Sequence, residues 1–63
     1  MEIRTRNSIY HIDLDAKTVT GGIFRNAVKG YTKVEYHLGY PAVFFMADGN
    51  VVTTSSITTI AVA

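Results

Sequence analysis

The chain has no cysteine and no tryptophan, one proline and only two leucines among its 63 residues. Without cysteine there is no disulfide, no thiolate zinc site, no redox couple and no cysteine nucleophile, and such a chain suits a reducing cytoplasm better than the disulfide-dense secreted class. Charge of one sign is missing too. Six Lys and Arg face five Asp and Glu, for a formal net charge of +1, whereas a committed nucleic-acid binder carries a marked basic excess. No apolar run approaches the ~20 residues of a membrane helix, so no membrane association is expected. The opening Met1-Glu2-Ile3-Arg4-Thr5-Arg6 alternates charges with no apolar segment behind them, unlike a secretory signal. The expected location is cytoplasmic.

What is present is β-forming. Seven Val, six Ile, eight Thr, four Tyr and three Phe make up 28 of the 63 residues, and β-branched and aromatic side chains favour a pleated, half-buried surface over a helix. The length allows one domain. A domain this short buries only ~60% of the surface its unfolded chain exposes and often needs reinforcement. With disulfides excluded, a homodimer becomes a real candidate, because a second copy would supply area that one chain lacks.

Alternation places the strands. Residues 3–6 alternate, Asn7-Ser8 supplies turn chemistry, and residues 9–14 resume the period of two, with Tyr10, Ile12 and Leu14 expected in the core. Asp15-Ala16-Lys17 breaks the pattern before Thr18-Val19-Thr20, as in a hairpin. Residues 22–30 permit two readings. Ile23/Ala27 and Phe24/Val28 have helical spacing ending at Gly30, but the β-rich flanks favour a third strand kinked at Gly21-Gly22 and continued to Phe24, then a loop. Residues 31–38 alternate again, with Val34, Tyr36 and Leu38 on the core side and Lys33, Glu35 and His37 outside. Gly39-Tyr40-Pro41 ends that strand. Residues 42–47 are apolar on both faces, as in a strand buried twice or lying under a partner chain. Asp48-Gly49-Asn50 is a strong hairpin signal. Ser55 to Ile57 suits a single helical turn or bend before a last β-prone stretch. Five to six short antiparallel strands in this order predict an all-β domain, a small SH3-like barrel or open β-roll spanning residues 1–63.

Chemistry is sparse. His11, Asp13 and Asp15 share one strand face, but residues two apart on a strand stand ~7 Å apart, so one metal would take at most two of them. His37 with Glu35 and Lys33 repeats the pattern, and adjoining faces would give a titratable histidine pair. Ser55-Ser56 lacks the glycine elbow of a serine hydrolase, and Gly21-Gly22 lacks the spacing of a phosphate cradle. Neither an enzyme nor a cofactor is indicated, and no metal site is expected. A basic and aromatic set, Arg4, Arg6, Arg25, Lys29 and Lys33 with Tyr31, would suit a nucleic-acid-binding barrel as the alternative reading. The leading expectation is a noncatalytic module whose protein partner, or second copy, meets a sheet edge or an apolar surface around Tyr40, Phe44 and Met46.

The opening residues 3–14, the Gly39-Tyr40-Pro41 break and the closing Thr53-Thr54-Ser55-Ser56-Ile57 together resemble small uncharacterised proteins of actinobacterial phages and prophages. The closing segment departs from the usual pattern, which has proline where Ser56 stands. The resemblance implies a viral accessory protein in a host bacterial cytoplasm, with a host or phage protein as partner, and supplies no functional residue.

Overall fold

Period-two alternation sorts side chains into an inner and an outer face on each strand of the computed structural model, which describes residues 1–62. The strands are β1 (Glu2–Thr5), β2 (Ile9–Asp13), β3 (Thr18–Gly21), β4 (Lys29–Glu35), β5 (Pro41–Met46) and β6 (Val51–Ala61), with one 3₁₀ turn at Gly22–Phe24. Each pairs antiparallel with the next, and β6 returns to β1, closing a six-stranded barrel. The fold is all-β and consistent with a small SH3-like barrel. Closure removes most of the unpaired edge that an open sheet would leave. Among the described residues no helix is long and apolar enough to cross a membrane.

The core is built around Phe44, which is fully buried on β5. Tyr10, Phe24 and Tyr31 surround it with ring centroids at 6.0, 5.8 and 6.1 Å, those of Phe24 and Tyr31 edge-on. Such pairs add about 0.5–1.5 kcal/mol each beyond the area they bury. Ile3, Ile12, Val19, Ala42, Met46 and Ile57 complete the interior.

Three bulges turn the corners, and each uses a threonine. Between the pairs Tyr31↔Met46 and Lys33↔Phe45, Thr32 is the extra residue, and its hydroxyl donates to the Phe45 carbonyl at 3.1 Å. Between Pro41↔Ser56 and Val43↔Thr53, Ala42 faces both Thr54 and Ser55, and its N–H donates to Thr54 Oγ1 at 3.0 Å. Between Arg4↔Thr59 and Thr5↔Ile57, Thr58 is extra, and its hydroxyl donates to the Arg4 carbonyl at 3.2 Å. A bulge interrupts the ladder and bends its strand. Here the side-chain oxygen stands in for the interrupted backbone pairing.

These bulges explain several departures from the expected pattern. Thr32 changes the phase of β4, so Tyr31 and Val34 both lie inward, Tyr36 is half-buried and Leu38 lies exposed in the following loop. No helical turn forms at Ser55 to Ile57, because β6 continues through its bulges. Leu14 is 48% exposed rather than core. Strand β2 stops at Asp13, whose Oδ1 accepts the N–H groups of Asp15 and Ala16 at 3.0 and 2.9 Å and starts the turn. Residues 22–30 follow neither expected reading in full. Strand β3 ends at Gly21, before Phe24, and a 3₁₀ turn and a tight turn lead into β4. Gly21 and Gly22 both have positive φ, and a Cβ would overlap the Ile9 carbonyl at the first and the Tyr10 ring at the second. The backbone passes too close to β2 for any other residue.

Candidate functional site

Strand β5 places alternate residues on opposite sides of the barrel wall. Ala42, Phe44 and Met46 face inward, so the expected surface around Tyr40, Phe44 and Met46 is corrected: Phe44 and Met46 are 0% and 7% exposed, and Tyr40 alone of the three reaches solvent, at 67%. Val43 and Phe45 take the outer side. Across the ladder Phe45 pairs with Lys33 on one side and Val51 on the other, and Val43 pairs with Glu35 and Thr53. The result is an outward apolar strip of Val43, Phe45 and Val51. Val51 is 58% exposed, while Val43 and Phe45 are half-buried. Lys33 bounds the strip, with its ammonium 5.6 Å from the centre of the Phe45 ring and 3.4 Å from Glu35 Oε2.

The six residues expected of a nucleic-acid interface separate. Tyr31 is core, its hydroxyl donating to the Asp13 carbonyl at 3.4 Å, so its ring offers no face for a base. Burial, and next the charge of Asp13, hold its pKa above the ordinary 10.0. Lys33 belongs to the apolar strip. Lys29 opens β4 opposite Val19. Arg4 and Arg6, in contrast, line one groove of about 580 Å³ beside the β1–β2 turn, with Asn7, Ser8 and Gly22 among its walls. Arg25 is not among the residues lining that groove; its backbone closes the turn after β3, its N–H donating to the Gly22 carbonyl at 3.1 Å and its carbonyl accepting from Gly21 N at 2.9 Å.

The histidines do not meet. His11 projects from β2 with Nδ1 3.8 Å from Glu2 Oε1, while His37 follows β4, with β3 standing between those strands in the barrel order. Glu2 also accepts from Arg4 Nε at 2.8 Å, and this hydrogen bond is the main cause of its lowered pKa. Asp13 is occupied by its turn, and among the described residues no group of three or more His, Asp or Glu is placed to hold a metal. A second groove, of about 480 Å³, runs over the outer face of β1–β3 between Glu2, His11, Thr20 and Val28. Its carboxylates already have partners.

Two features were not singled out from the sequence. The strip had a signal, the doubly apolar residues 42–47, and the hairpin through Asp48-Gly49-Asn50 sets Phe45 opposite Val51. The groove beside Arg4 and Arg6 had none, since it forms where the β1–β2 turn meets Gly22, an approach that nothing in the local sequence announces. Comparison with known proteins gives no match to a family model, a curated protein or a solved structure.

Proposed function

We propose that this chain is a noncatalytic interaction module that docks on a protein surface, in the first instance a second copy of itself, through the outer face of β5 and β6. The observation that carries this reading is the strip of Val43, Phe45 and Val51 on the outside of a barrel whose interior is already filled. A small domain with too little area to bury gains most from covering such a strip. Barrel closure favours a face over an edge as the contact, because little edge is left for strand addition. The resemblance to actinobacteriophage proteins makes the setting an infected bacterial cell, where a host or phage protein would use the same face.

Light scattering across a concentration series tests the self-association. The wild-type mass should rise from monomer toward dimer, and Val51→Asp, at an exposed position, should remain a folded monomer. A wild-type chain that stays monomeric throughout removes the homodimer.

A further inference from the structure

The side-chain carbonyl of an asparagine, or of a protonated aspartate, is open to attack by the backbone nitrogen of the next residue, and the reaction is fastest when that residue is small. In the sequence the foremost pair of this kind is Asp48-Gly49, followed by Asn7-Ser8, with Asn26-Ala27 and Asn50-Val51 behind them. The fold changes that order. The attacking nitrogen must first lose its proton, so an N–H that already donates to a carbonyl has a hydrogen bond to give up.

Three of the four pairs are restrained. The Gly49 N–H donates to the Met46 carbonyl at 3.0 Å, and the Asp48 carboxylate accepts from Asn50 N at 2.9 Å and from Asn50 Nδ2 at 3.0 Å. Ring closure there would undo the hairpin turn. The Nδ2 bond also holds the Asn50 amide, and the β-branched Val51 that follows it is fixed in the ladder opposite Phe45. At Asn26 the next nitrogen is engaged, since the Ala27 N–H donates to the Phe24 carbonyl at 3.0 Å. Asn7-Ser8 differs. Asn7 is exposed in the β1–β2 turn, and the bonds that close the turn run to the Ser8 carbonyl, from Thr5 N at 2.9 Å and Thr5 Oγ1 at 3.5 Å. Among the described residues the Ser8 N–H donates to no backbone carbonyl. Arg4 and Arg6 line the same groove as Asn7 and Ser8, and no acidic residue does. Positive surroundings favour loss of the amide proton and the negative charge that builds on the attacked carbonyl.

We propose that Asn7 is a site of spontaneous deamidation, selected by the fold over Asp48. The Ser8 nitrogen gives up its proton and forms a bond to Asn7 Cγ, and the side-chain nitrogen takes up a proton and leaves as ammonia, closing a succinimide ring. Water then opens the ring at either carbonyl, giving aspartate or isoaspartate. Either product places a negative charge beside Arg4 and Arg6 and cancels the formal net charge of +1. Isoaspartate also lengthens the backbone within the β1–β2 turn by a methylene. Asn7 lies outside the apolar strip, so the modification stands independently of the docking reading. Peptide mapping by mass spectrometry tests it, on the chain aged folded and aged in urea, in mildly alkaline buffer for the asparagines and mildly acidic buffer for Asp48. Asn7 should convert about as fast folded as in urea, whereas folding should slow Asp48 and Asn26 by about fivefold or more, the scale of one hydrogen bond. Asn7→Gln should lose the conversion at that position, because its ring would be larger and closes far more slowly. An Asn7 that folding slows as much as Asp48, or an Asn26 or Asn50 that converts ahead of it in the folded chain, overturns the site.

Discussion

The two sides of β5 are alike in sequence and unlike in consequence. Ala42, Phe44 and Met46 on one side, and Val43 and Phe45 on the other, are equally apolar. The inner side meets three aromatic rings and the aliphatic side chains of the other strands. The outer side meets Lys33 over Phe45 and the neighbouring Val51. Hydrophobicity therefore marks β5 as central without separating the side that holds the barrel together from the side left for another surface. Burial makes that separation, and burial depends on the phase of the strand.

Adjacent phenylalanines give the strongest way to break the comparison. Phe44→Ala should cost about 3–5 kcal/mol, close to the whole stability of a domain this size, and leave the chain largely unfolded by circular dichroism. Phe45→Ala should cost about 1 kcal/mol, since the side chain is only half-buried, and leave a folded barrel with a slightly lower urea midpoint. Equal costs would mean that the outer strip is as much core as the inner one.

A smaller effect reads the inner wall through pH. Tyr31 keeps its proton in the folded barrel to a pH above the ordinary 10.0. Below that value both states are protonated and its contribution is constant. Above it the unfolded chain releases the proton first, so stability falls as pH rises toward the folded-state pKa. Urea midpoints measured from about pH 9 to 11 should show this decline, and Tyr31→Phe should remove much of it. The smallest effect belongs to the outer wall: Lys33→Ala loses an exposed cation–π contact and an exposed ion pair, together about 0.5 kcal/mol. A loss several times larger in chemical denaturation would show that Lys33 seals the strip instead of bordering it.

The strand order and the hairpin at Asp48-Gly49-Asn50 were legible in the sequence because alternation and turn chemistry are local properties. Phase was harder. A reader counting by twos from Lys33 puts Tyr31 outside, and only the Thr32 bulge brings it inside. On β6 the signal was present but ambiguous. Thr54 and Ile57 are both buried at a spacing of three, which reads as a helical turn unless a bulge is considered. On β5 the alternation is regular, but both of its sides are apolar, so the sequence did not say that Phe44 and Met46 take the inner one. The turn after β3 was illegible for another reason: Arg25 occupies a position that ordinarily announces itself with glycine.

The contact between Thr58 and Arg4 joins residues 54 positions apart, and it has a consequence for how the protein is made. During synthesis β1 emerges first and its partner on the closing side emerges last. At about 5–20 residues per second a ribosome leaves that side of β1 unpaired for several seconds, with Ile3 still lacking its cover from β6. Contacts of such long range also form late in folding. The barrel that hides its edges so well when complete is, while being made, a growing sheet with an open first strand.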